Sequence, residues 1–195
     1  MASFHPPSLE IPWESSLCFT GHRPEKLPQG AVLTGLNRTL QLYICRAVEI
    51  GFTHFLTGMA DGVDYLAADH LFRLRMAHPE IRIIGIQPCE DYERFFRWRG
   101  YSVPHLRLMQ ENVDQLIVLP GSAWDRGIFL KRNRYMVDRV SAIIAVCDEG
   151  RSGSMQTFRY AQSQGLSYCR IYPEPPPGTI PAPKAWPVDT MGFSL

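Results

Sequence analysis

No run in this chain approaches the roughly 20 apolar residues that cross a bilayer, so no membrane anchor is expected. Neither sign of charge is in excess. Twenty Lys and Arg stand against nineteen Asp and Glu, a formal net charge of +1, which argues against the bulk basic field that nucleic acid or a membrane surface would attract. The five cysteines, Cys18, Cys45, Cys89, Cys147 and Cys169, include no C-x-x-C pair. That excludes the usual zinc and redox spacings and predicts reduced, buried thiols. The six histidines have no H-E-x-x-H spacing and G-x-S-x-G is missing, so neither a metal centre nor a nucleophile elbow is expected. The first residues, Met1 to Pro7, have no charged segment followed by an apolar one. No signal peptide and a cytoplasmic location follow as expectations.

What the chain has is size and alternation. Its 195 residues are 45% hydrophobic and 20% charged, ordinary for one soluble domain. Short apolar runs at Leu17–Thr20, Phe52–Thr57, Ile81–Ile86, Gln115–Leu119, Ala142–Cys147 and Ser167–Tyr172 read as strands. Helical patterns lie between them: from Thr34 (a candidate cap) to Gly51, about Gly62 to Ala77, Asp91 to Arg99, Pro104 to Asn112, Ile128 to Arg139, and Met155 to Gln164. Continuous rather than alternating apolar strands are buried on both faces. The expected fold is therefore α/β: a Rossmann-like, doubly wound, mostly parallel sheet with helices on both faces. Residues 1–15, with three prolines, read as an N-terminal arm, and 16–172 as the domain. Residues 173–195 read as an extended or disordered Pro-rich tail, with seven prolines between Pro173 and Pro187.

In such a sheet, ligands bind beyond the carboxyl ends of the strands. Four segments follow those ends. Thr20-Gly21-His22-Arg23-Pro24 has a glycine for close backbone approach and an arginine for phosphate. Gly58-Met59-Ala60-Asp61-Gly62-Val63-Asp64 joins a strand to a helix whose first turn should aim unpaired amides at a ligand. It is neither a Walker loop nor a G-x-G-x-x-G fingerprint. Asp61 and Asp64 fit N-cap and N3 of that helix, and Asp64 could instead accept from ribose hydroxyls. In Lys131-Arg132-Asn133, Asn133 shares the apolar face of Phe129, Met136, Val137 and Val140 and needs a partner, whereas Lys131 and Arg132 read as solvated charges. Asp148-Glu149-Gly150-Arg151-Ser152-Gly153-Ser154 precedes a helix and makes an anion cradle, with Ser154 as a plain N-cap the alternative. His70 reads as a core histidine. Tyr92, Phe95, Phe96 and Trp98 read as a packed helix face, with a base-stacking lid as the alternative.

Taken in order, Phe19–Pro24, Leu56–Asp64 with Ala67-Ala68, Ile86-Gln87-Pro88, Lys131–Asn133 and Gly150–Ser154 resemble the YpsA-like branch of the SLOG superfamily, Rossmann-like relatives of LOG enzymes and DprA. The resemblance implies a site for a nucleotide or nucleotide derivative. ADP-ribose, NAD or a nucleoside phosphate would be the ligand, and no further cofactor is expected. Its residues would be Thr20, Gly21, Arg23, Gly58, Gly62, Asp64, Asn133, Ser152, Gly153 and Ser154. A homo-oligomer is a further expectation from related folds. The LOG signature P-G-G-x-G-T-x-x-E is replaced here by Gly153-Ser154-Met155-Gln156-Thr157, without the double glycine or the glutamate. That argues against LOG-type hydrolysis, for which Asp64 and Glu149 are the remaining carboxylate candidates. A DprA-like single-strand binder is the third alternative, and the near-neutral charge counts against it.

Overall fold

The computed structural model describes residues 10–193. Its central feature is a seven-stranded sheet: β1 (Ser16–Gly21), β2 (His54–Thr57), β3 (Arg82–Gln87), β4 (Gln115–Val118), β5 (Ala142–Val146), β6 (Ser167–Ile171) and β7 (Val188–Met191). The spatial order is β4-β3-β2-β1-β5-β6-β7. All neighbours pair in parallel except β6 and β7. The chain steps outward from β1 to β4 and then returns to lay β5 against the other side of β1. The switch point, and with it the crevice of an open α/β sheet, therefore lies between the carboxyl ends of β1 and β5.

Six helices cover the sheet: α1 (Gly30–Glu49), α2 (Val63–Leu74), α3 (Tyr92–Arg99), α4 (Val103–Asn112), α5 (Ile128–Val137) and α6 (Gly153–Ser163). Strand side chains alternate between faces. Leu17, Phe19, Phe55, Ile83 and Ile144 pack with Leu40, Ile44, Ala67 and Leu71 of α1 and α2. Cys18, Leu56, Ile84, Ile143 and Ala145 pack with Met136, Met155, Phe158 and Ala161 of α5 and α6. Two apolar layers explain why the strands read as unbroken runs, and the doubly wound expectation holds.

The structure differs from the sequence reading at both ends of the domain. Helix α1 begins four residues before Thr34, whose hydroxyl bonds back to the Gly30 carbonyl (3.2 Å) instead of capping. The Pro-rich segment is ordered on the domain. Trp186 is buried at 4% exposure, donates from Nε1 to the Tyr172 carbonyl (2.8 Å), and lies where a Cβ on Gly35 would meet its ring at 2.5 Å. Phe193 stacks on Phe52 (centroids 5.7 Å apart), and β7 extends the sheet. Much of the expected N-terminal arm, residues 1–9, lies outside the described residues. Cys18, Cys89, Cys147 and Cys169 are buried free thiols, and Cys45 is half-buried.

Candidate functional site

The loop from Gly58 to Val63 was expected to offer amides to a ligand, yet the protein uses four of them itself. Met59 N donates to Thr57 Oγ1 (3.3 Å), Ala60 N to Asp64 Oδ2 (3.3 Å), Gly62 N to Asp61 Oδ1 (3.1 Å) and Val63 N to the His22 carbonyl (3.2 Å). Gly62, at φ +94°, is the N-cap residue of α2, so Asp61 and Asp64 are not at N-cap and N3. A Cβ on Gly62 would collide with the His22 carbonyl, and one on Gly21 would meet Val63 at 2.5 Å. These two glycines let the β1 and β2 loops interlock. Asp61 reaches sideways to hold α4, accepting from Ser102 N (2.8 Å) and pairing with His105 Nδ1 (2.9 Å).

Asp64 is buried and faces Arg132 at 3.8 Å. Burial pushes its carboxyl above the usual range, while the Arg132 and Arg23 guanidinium groups pull it back. Arg132 is buried at 4% exposure, which corrects its reading as a solvated charge; Lys131 is exposed. The guanidinium donates to the Gly58 carbonyl and, through Nε, to Asn133 Oδ1 (2.7 Å). Asn133 Nδ2 donates to Thr157 Oγ1 (2.6 Å), and Thr157 donates to the Gly153 carbonyl (2.8 Å). One network thus ties the β2–α2 loop to the first turn of α6. It gives Asn133 the partner its half-buried amide requires.

At α6 the N-cap is Ser152, not Ser154: Ser152 Oγ accepts from Met155 N (3.1 Å). Ser154, 8% exposed, lies 3.0 Å from Ser152 Oγ and 3.2 Å from His22 Nδ1. The amides of Gly153 and Ser154 lie in the first turn, where no intrahelical acceptor exists. A Cβ on Gly153 would meet nothing within 4 Å. This turn is therefore open to an anion in a way that α2 is not.

Thr20, Gly21, Arg23, Asp64, Asn133, Ser152, Gly153 and Ser154 line one cleft of about 340 Å³ above the β1–β5 switch point. Gly58 and Gly62 lie beneath it as packing positions, and Glu149 is turned away to pair with Arg170 (2.7 Å). Arg23 and four aromatic residues complete the walls, of which Tyr101 alone went unnamed in the sequence reading. Arg23 Nη1 is buried without a hydrogen-bond partner, and the guanidinium lies 5.3 Å from the Tyr101 ring centroid. Phe95, Trp98, Tyr101 and Phe129 form an aromatic wall, with Phe95 and Phe129 centroids 4.9 Å apart. Tyr92 and Phe96 are core, so the aromatic helix is packed face and cleft wall at once.

The YpsA family model, described as the YspA SLOG family, matches residues 17–169, from β1 into β6. This chain belongs to the YspA SLOG family. This SLOG member is similar to the uncharacterized SPbeta prophage-derived protein YoqJ of Bacillus subtilis (strain 168), at 30% identity over 131 residues, 62% of this chain and 77% of YoqJ. Its fold is similar to DNA processing protein A (DprA) of Streptococcus pneumoniae, with a TM-score of 0.55 at 18% identity over 80% of this chain and 49% of that one. DprA of Helicobacter pylori, described for its single-stranded DNA binding mode, gives 0.50 at 20% identity over 80% and 64%. The SLOG chain spans about half to two thirds of those DprA chains, and at such identities the likeness shows a common fold.

Proposed function

We propose that this SLOG protein binds a nucleotide or nucleotide derivative in the cleft at the β1–β5 switch point. One observation carries the reading. The open first turn of α6, Arg23 with its buried and unpartnered Nη1, and an aromatic wall line the same cleft. A helix N-terminus and a guanidinium suit phosphate, and aromatic rings suit a base. Phosphate would sit on Gly153 and Ser154 with Arg23 beside it. A sugar hydroxyl would reach Asp64, and the base would lie against Phe95, Trp98 and Tyr101. The volume falls within the roughly 300–1,000 Å³ of small-molecule sites.

Cleavage of an N-glycosidic bond has less support, because Glu149 is outside the cleft and one Asp64 oxygen is already occupied. The test is a thermal-shift screen with ADP-ribose, NAD, and mono- and cyclic nucleotides, with single-stranded DNA as a competing candidate. Saturable stabilisation by a small nucleotide, lost in Arg23→Ala, is expected. Stabilisation by DNA alone would redirect the reading, and no response from any ligand would remove it.

A further inference from the structure

His22, in the segment Thr20–Pro24, has surroundings that suit a general base. It follows β1 directly, is 3% exposed, and is locked by its backbone between Val146 and Val63. Its two ring nitrogens face different chemistry. Nδ1 lies 3.2 Å from Ser154 Oγ, and Nε2 lies 3.6 Å from Asp148 Oδ2. Nε2 is buried and has no hydrogen-bond partner. With a proton on Nε2 directed at Asp148, Nδ1 keeps its lone pair for the Ser154 hydroxyl. Ser152 supports this order: its oxygen accepts from Met155 N, and its own hydroxyl proton can point to Ser154 Oγ. The donors then run from Ser152 to Ser154 to His22 without conflict. Burial also holds His22 below its ordinary value of 6.5, against the pull of Asp148, so the ring is the neutral form that accepts a proton.

We propose that Ser154 is a nucleophile activated by His22 as general base, with Asp148 orienting the ring, and that the group it attacks is phosphoryl. The arrangement has the parts of a serine–histidine–carboxylate site, which is recognised by geometry and role rather than by chain order. The Nε2–carboxylate distance of 3.6 Å is within ion-pair reach, and catalytic hydrogen bonds of this kind tighten when substrate binds. The choice of phosphorus rests on the nucleotide reading above: a phosphate on the Gly153 and Ser154 amides lies against Ser154 Oγ. In the first step the Ser154 Oγ–P bond forms and the bond from phosphorus to the leaving oxygen breaks. The serine proton passes to His22 Nδ1 and then to that oxygen. In the second step water, deprotonated by His22, attacks the phosphoserine. Phosphate departs and the proton returns to Ser154. The substrate class is a nucleotide phosphoester or phosphoanhydride.

A fluorophosphonate probe tests serine activation without knowledge of the substrate, because Ser154 Oγ displaces fluoride at phosphorus. Intact-mass and peptide mass spectrometry should find one phosphonyl group, on Ser154, and none in Ser154→Ala. Labelling should slow at least 100-fold in His22→Asn, the lower range for loss of a general base, and more modestly in Asp148→Asn. Asp148 is more than half exposed, so its variant keeps the test valid where His22→Asn fails to fold. Labelling of the folded protein no faster than of the urea-unfolded chain, or at the wild-type rate in Asp148→Asn, would overturn the proposal. Calorimetry with ADP-ribose and NAD on the same preparation separates the two readings. Binding without labelling removes the nucleophile alone. Labelling without nucleotide binding keeps the activated serine and removes the nucleotide phosphate as its target.

Discussion

At the scale of single residues, the buried Asp64–Arg132 pair decides whether the cleft keeps its shape. Two charges taken out of water are tolerated only while each compensates the other, and Arg132 also holds the Gly58 carbonyl and Asn133. Arg132→Ala should therefore cost about 3 kcal/mol or more in urea unfolding, the range for stranding a buried charge. An Asp64→Leu, Arg132→Met double variant should recover much of that loss. His22 makes a second prediction. Its folded value is held below the 6.5 of the unfolded chain, chiefly by burial, as are those of His54 and His70. The unfolded state then binds more protons as the solution is acidified. Stability is complete above pH 6.5 and falls as pH drops through 6.5 toward the lower folded values. Urea midpoints across that window should show the decline, with a shallower slope in His22→Asn.

Much of this site was legible as residue types. Eight of the ten proposed contacts meet in one cleft, because loops that follow the carboxyl ends of parallel strands leave from one rim of the sheet. Arg132 was misread although a signal existed. Ile128, Arg132 and Met136 are spaced by four and are all buried on α5, so the arginine lies on an apolar row. His22 was illegible for a different reason: its partners, Ser154 and Asp148, are more than 120 residues away in the chain and arrive only through β1–β5 pairing.

At the scale of elements, α2 and α6 begin alike in sequence but differ in use. Asp61, Asp64, Thr57 and the His22 carbonyl consume the amides before and at the start of α2, whereas the first turn of α6 opens into the cleft. Carboxylates in the first tie the loop to its neighbours, and hydroxyls in the second line the cleft. The C-terminal segment teaches the opposite lesson. Its prolines admit one short 3-10 turn, Pro183–Ala185, and no α-helix among the described residues, but order comes from two aromatic anchors whose pockets are built elsewhere, by Gly35 of α1 and by Phe52. Trp186→Ala should cost about 3–5 kcal/mol, as for other buried Trp or Phe truncations. Differential scanning calorimetry should show a lower midpoint, and hydrogen-exchange mass spectrometry should find β7 exchanging its amides faster. An unchanged midpoint would mean that the segment contributes nothing to the fold.

At the scale of the whole molecule, strand order explains why the cleft lies where it does. Only between β1 and β5 do the loops leave in opposite directions, so the Arg23 loop and the Ser152–Ser154 turn part to form a crevice. Helix α3 and the segment after it supply Phe95, Trp98 and Tyr101 of the aromatic wall, and α5 supplies Phe129. The apolar pattern of the strands had foretold the doubly wound sheet, whereas the strand order that sets the crevice is seen only in the structure. The choice of ligand depends on side chains that no strand pattern encodes.

The central claim is that phosphate of a nucleotide sits on the first turn of α6, and Gly153→Asp tests it most directly. The new side chain enters open space, since a Cβ there meets nothing within 4 Å. A carboxylate at a helix N-terminus also favours the helix by roughly 0.3–1 kcal/mol. The fold should therefore keep its thermal midpoint while the carboxylate occupies the anion position. Calorimetric titration with the nucleotide that best stabilises the wild-type protein should show binding in the wild type and none in Gly153→Asp. Equal affinity in a folded Gly153→Asp protein would contradict the account.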